Sequence, residues 1–221
     1  MQTLGNLRPA YSRAERVSDG VVHLIGIVLA IICVPSLIAL TAIFRSESGH
    51  VVGVTVYGVT LVAMLSFSAL YNIVDSARWT GLLRSIDQSA IYMKIAGTYT
   101  PFVLVSGVPA TGLLASLWGA ATIGSFLKMF APGRFRWFAL TLYLAMGWAV
   151  LLAGGPILAE LPWAVLLPMI AGGIAYTAGV GFHLSVRLPF HNTIWHIFVL
   201  MGSVLFFVAV AVLITNLPID G

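Results

Sequence analysis

Seven apolar stretches of about membrane-spanning length occupy most of this chain. They run over 21–43, 51–74, 87–106, 111–130, 136–154, 161–182 and 193–215. A helix needs about 20 mostly apolar residues to cross the hydrocarbon core of a bilayer. These stretches are long and apolar all round, where a β-barrel would show short alternating strands. The expected fold is therefore all-α: an integral membrane bundle of seven transmembrane helices. Composition agrees, since 60% of the 221 residues are hydrophobic and 8% are charged. That leaves too little polar surface to coat a water-soluble globule, which carries about a quarter charged residues.

The basic residues sit mostly in the gaps. Arg8, Arg13 and Arg16 precede the first span, Arg78 and Arg84 follow the second, Lys128, Arg134 and Arg136 follow the fourth, and Arg187 follows the sixth. The opposite set of gaps holds Arg45 alone. Basic loops favour the cytoplasm, so the N-terminus is expected there and the C-terminus outside. An even number of spans would break this alternation. The chain then divides into a cytoplasmic segment (1–20), a seven-span domain (21–215) and a short tail (216–221). The first twenty residues are polar and carry no recognisable cleavable signal. The net charge of +4 is spread over the gaps and does not cluster, which argues against a nucleic-acid partner and for membrane lipids. The single cysteine, Cys33, has no partner for an intramolecular disulfide.

Parity brings distant residues to one face. The end of span two, the start of three, the start of seven and the start of one all belong to the cytoplasmic layer. Span two ends in Ser68 and Asn72, which share a helix face at i,i+4. Span three brings Asp87, Gln88 and Lys94. Span seven brings His191, Asn192 and His196, and the first helix brings Glu15, Asp19 and His23. His191 and His196 lie about 140° apart on a helix, so only one imidazole is expected to face the interior. If that is His196, its natural helix-face partner is Asn192. Asp87 has Arg84, His196 and Lys94 as candidate partners, because an ionised group in a span is costly alone. Lys94 lies about 10 Å further along the helix, so its pairing with Asp87 strains its reach. Tyr71, Tyr92, Tyr99 and Trp195 are expected to line or pack around this layer. Ala171, Ala175 and Gly179 give span six a face of small residues for close helix contact.

The segments "ERVSDGVVHLIG", "SALYN", "DQSAIYMKIAGTYTPF", "LYLAMGW", "GGIAYTAGVGF" and "PFHNTIWHIFVL" make the chain resemble the haemolysin III family of bacterial membrane proteins. That family is part of the progestin and adiponectin receptor superfamily. The resemblance covers nearly the whole chain and implies the bacterial plasma (inner) membrane as location. It also implies a zinc site near the cytoplasmic face, made of three histidines, an aspartate holding a water, and a serine. Ser68 and Asp87 match the serine and the aspartate, and His196 matches the last histidine. Asn72 and Asn192 stand where the resemblance implies the other two histidines, and Gln88 replaces a further histidine. An amide oxygen is a poor zinc ligand beside an imidazole. The expectation is a degenerate site with weak or no zinc and no other cofactor. The role expected is then membrane homeostasis or sensing, not a toxin, with Asp87 and Ser68 the candidate catalytic residues if chemistry occurs. The alternatives are a zinc-dependent lipid-amide hydrolase acting on a ceramide-like lipid, and a proton conduit. A hydrolase needs a rebuilt metal site, with His191 or His23 as the replacement ligand. A bound fatty acid or ceramide-like lipid is the expected partner.

Overall fold

The first helix shows how the chain sorts lipid from protein. In the computed structural model, which describes residues 11–45, 47–131 and 135–216, helix α1 spans Arg13–Phe44. Its buried positions are Asp19, His23, Gly26, Ala30, Val34, Leu37 and Thr41, one stripe at spacings of three and four. The other faces expose Leu24, Ile25, Val28, Ile31 and Ile32, an inversion of the soluble pattern that suits a lipid surround. Ser12 caps the helix, accepting from the Glu15 backbone N–H while the Glu15 carboxylate accepts from the Ser12 N–H.

The remaining helices are α2 (Ser48–Ile73), α3 (Thr80–Val105), α4 (Thr111–Phe130), α5 (Arg136–Gly147), α6 (Ala149–Ala153), α7 (Gly155–Glu160), α8 (Trp163–Leu184) and α9 (His191–Thr215). No strand occurs among the described residues. Five helices (α1, α2, α4, α8 and α9) are long and apolar enough to cross a membrane. Arg8, Arg134, the side chain of Arg136 and the tail from residue 217 lie outside the described residues.

Helix α3 is the exception that organises the rest. It carries Arg84, Asp87 and Lys94, yet it is the most enclosed helix, with Ala96 through Val103 buried without a gap. It packs against α2, α4, α5 and α9, so protein surrounds Lys94 and flanks Asp87, while Arg84 is exposed. Close approach depends on glycine here: a Cβ on Gly97 would lie 2.1 Å from Thr60 Oγ1.

Two features differ from the sequence expectation. The fifth apolar stretch (136–154) is not one helix but α5 and α6 in series, interrupted at Trp148, and the short α7 follows after Gly154. The Tyr99 hydroxyl occupies the interruption, donating to Gly147 O at 2.9 Å and accepting from Val150 N at 3.2 Å. A side chain inserted into a backbone ladder is a recognised cause of helix breaks. The small-residue face of α8 is also displaced by one position. Gly172, Ala175 and Gly179 face α9, whereas Ala171 is exposed. A Cβ on Gly172 would meet the Phe206 ring at 2.8 Å, and one on Gly179 would meet Phe198 at 2.9 Å.

Candidate metal centre and apolar cavity

The start of α9 is fixed by the start of α1. Phe190 adopts the left-handed region (φ 58°), unfavourable for a bulky residue, and its N–H donates to Glu15 Oε1 at 2.9 Å. Ser18 Oγ and Thr193 Oγ1 are 3.0 Å apart, and Thr193 Oγ1 also donates to Glu15 O at 3.4 Å. This clip sets the register in which the buried stripe of α1 meets α9.

Within that register Asp19 faces His196. The His196 Nδ1 lies 2.5 Å from Asp19 Oδ1, a short bond of the kind a carboxylate makes with an imidazole N–H. His23, one turn along from Asp19, places Nε2 3.4 Å from Asp19 Oδ2. The His23 and His196 rings are 4.4 Å apart between centroids. All three residues are buried, and one donor atom from each lies within 4.8 Å of the others. Asp87 lies close to both histidines and within hydrogen-bonding reach of Ser68.

The asparagines form the adjoining part of the network. Asn192 Nδ2 reaches Asp19 Oδ2 at 3.3 Å and Asn72 Oδ1 at 3.4 Å, while Asn72 Nδ2 donates to Ser68 O at 2.8 Å. The bond of His196 thus goes to Asp19, with Asn192 joined to the same carboxylate. His191 points elsewhere: its Nδ1 donates to Leu188 O at 3.2 Å and its ring packs 5.7 Å from Tyr11. The Gln88 side chain makes no hydrogen bond among the described residues. Of the two α9 histidines only His196 joins this cluster, and the second imidazole there is His23, on the same stripe of α1 as Asp19.

Lys94 does not pair with Asp87. Its ammonium donates to Tyr176 Oη at 2.6 Å, across the bundle on α8. Of the four aromatic residues expected near the layer, Tyr99 and Trp195 line the cavity described below. Tyr92 instead bonds Ala139 O under α4 and α5. Tyr71 lies close to Tyr11. Tyr176 and Ser203 were not visible as site residues in the sequence, since an isolated Tyr or Ser in an apolar run carries no spacing signal. Asp19 and His23 did carry one, their i,i+4 spacing.

A cavity of about 120 Å³ opens from this cluster. His23, Ser68, Asp87 and His196 line one part of it and Lys94 and Tyr176 another, with Met64, Leu65, Ile91, Ile95, Leu144 and Leu200 along its apolar walls. Such a space suits a hydrocarbon chain carrying few polar groups.

Two donor sets can be weighed against the zinc that the sequence resemblance implies. Asn72, Asn192 and His196 do not fit it, since two of the three are amides already bonded within the network. Asp19, His23 and His196 do fit. Two imidazoles and a carboxylate are a known catalytic zinc set. In addition, His23 Nε2 is buried and, among the described residues, makes no well-aligned hydrogen bond, its nearest carboxylate oxygen being Asp19 Oδ2 at 3.4 Å.

Comparison with known proteins gives the lineage. A family model described as "Haemolysin-III related" matches residues 11–207. The chain is 35% identical over 206 residues to "Hemolysin-3 homolog" of Bacillus subtilis (strain 168), covering 92% of this chain and 96% of that one. It is 38% identical over 201 residues to "Hemolysin-3" of Bacillus cereus, covering 89% and 90%. A more distant similarity, 24% over 203 residues, links it to the human "Monocyte to macrophage differentiation factor", covering 86% and 83%.

Proposed function

We propose, because this chain belongs to the haemolysin III family and buries a two-histidine, one-carboxylate cluster beside an apolar cavity, that it is a seven-span plasma-membrane hydrolase of a lipid amide, its N-terminus cytoplasmic. The reading rests on one observation above all: donor atoms of Asp19, His23 and His196 converge within 4.8 Å. These residues would hold a divalent transition ion. Such an ion supplies an activated water and polarises a carbonyl when bound.

The chain's own groups complete the arrangement. Asp87 faces the cavity beside Ser68 and takes a proton from water there. Asn192 holds the second oxygen of Asp19 and so fixes its carboxylate plane. Met64, Leu65 and Leu200 keep the cavity dry and accept an acyl chain, which matches a ceramide-like substrate.

A second reading has its own support in the Asn72–Asn192 contact, two amides where the resemblance implies imidazoles. On that reading the site binds no ion and the protein serves membrane homeostasis or sensing. Elemental analysis of the purified protein separates the two. The hydrolase reading expects about one transition ion per chain, lost in His196→Ala, and fatty-acid release from a ceramide-like lipid that disappears in Asp87→Asn. An ion-free wild type that gains metal only as Asn72→His/Asn192→His decides for the second reading.

A further inference from the structure

We infer that Lys94, Tyr176 and Ser203 form a subsite for the anionic group of a single-chain amphiphile. The inference does not rest on the metal centre, which occupies a different part of the same cavity.

Lys94 is 3% exposed, in the most enclosed helix of the bundle. An ammonium has three donors, and Tyr176 Oη at 2.6 Å is its one hydrogen-bond acceptor among the described residues. No carboxylate forms an ion pair with it there. The rest of its surroundings are ring faces: it stands 4.4 Å from the centroid of Tyr176 and 5.0 Å from that of Phe206. Those faces attract a cation but accept none of its hydrogen bonds in the ordinary sense. A lysine so placed has donors that the protein leaves for something else, and an anion beside it favours its charged form.

The surroundings are built around the lysine. Tyr176 Oη is 2.7 Å from Ser203 Oγ, which ties α8 to α9 at this level. Both rings are seated on glycines. A Cβ on Gly202 would come within 2.9 Å of the Tyr176 ring, and one on Gly172 within 2.8 Å of the Phe206 ring. Tyr57, fully buried near Tyr176, has a hydroxyl with no hydrogen-bond partner among the described residues.

The cavity supplies the remaining argument. Lys94, Tyr176 and Phe206 line it, and so do Ile91, Ile95, Val199 and Leu200. The carboxylates lie elsewhere: Asp87 lines the cavity seven residues before Lys94, about 10 Å along α3, and Asp19 stands behind His23 and His196. Among the described residues Lys94 is the one lysine or arginine that lines this space, so an anion entering it is attracted there. A carboxylate or phosphate monoester on a long alkyl chain meets both demands, with its head on Lys94 and Tyr176 and its tail along the apolar wall.

Binding of three probes to the full chain in detergent tests this: oleic acid, oleyl phosphate and oleyl alcohol, which share a tail and differ in head. Both anions should bind at least about tenfold more tightly than the alcohol, as a charge-assisted hydrogen bond implies. Whichever anion binds more tightly identifies the source as a fatty acid or a lipid monophosphate. Lys94→Met should erase the preference while leaving alcohol binding within about twofold, and Tyr176→Phe should weaken it several-fold. Asp19→Asn and chelator-treated protein should keep it, so loss of the metal reading leaves this one standing. A lysine that only joins α3 to α8 would change stability and not head-group ranking. The inference is overturned if the alcohol matches the anions in the wild type, or if the preference survives Lys94→Met. Should that variant not fold, the wild-type ranking and Tyr176→Phe decide.

Discussion

The cavity has two polar regions, and they differ in how their charges are met. Around Asp19 the groups answer one another: His196, His23 and Asn192 all converge on one carboxylate. Around Lys94 the single cation meets one hydroxyl and two aromatic faces. Both regions are buried in the same bundle, so the cost of an unmet charge applies equally to each. The first region meets its carboxylate with its own side chains. The second, on the inference above, meets its ammonium with a ligand's anion. That contrast separates a cluster that holds its own shape from a subsite that waits for an anion.

The contrast can be broken most strongly at His196. His196→Ala removes the closest partner of Asp19 and should cost about 3–5 kcal/mol, as breaking a buried pair does. Thermal melting in detergent measures this, and Asp19→Asn in the same background should recover part of the loss. A full-sized loss with no recovery would show that His196 acts by packing alone. Gly97→Ala tests the next link, since α3 carries both Asp87 and Lys94. Its Cβ would enter Thr60, so stability should fall by about 1–3 kcal/mol. Gly81→Ala, with nothing within 4 Å of its Cβ, should instead be neutral or slightly stabilising.

Tyr99→Phe sharpens the comparison from the cavity wall. It leaves Val150 N and Gly147 O without the hydroxyl that spans the α5–α6 break, at a cost of about 1–2 kcal/mol. Hydrogen exchange at Val150 should rise while exchange near Asp19 stays unchanged. The smallest effect belongs to Glu15→Gln. Weakening the cap of α1 and the bond to Phe190 N should lower the midpoint of chemical denaturation only slightly. Head-group ranking at Lys94 should not move, because the clip sits at the other region.

Much of the candidate site was legible because helix periodicity is local. The pair Ser68 and Asn72 at i,i+4, and the pair Asn192 and His196 likewise, could be placed on shared faces from spacing alone, and the gaps told which ends lay together. Asp19 and His23 carried the same spacing. What spacing could not give was the partner of His196, since that depends on the axial register between α1 and α9. The Glu15–Phe190 bond and the Ser18–Thr193 contact set that register across more than 170 residues of chain. Lys94 posed the same difficulty. Its seven-residue separation from Asp87 invited a pairing along one helix, and the reach to Tyr176 on another helix won.

By itself, then, the sequence determined a helical chain with apolar stretches long enough to span a bilayer, and a set of polar residues confined to particular turns. Hydrophobic length and helical period are properties of short segments, so they survive without knowledge of the rest. The tertiary structure alone decided which carboxylate meets which imidazole, where the fifth stretch breaks, and that one lysine ends without a counter-charge. Those outcomes depend on distances of a few ångströms between helices, which glycine contacts and single hydrogen bonds fix and no local pattern encodes.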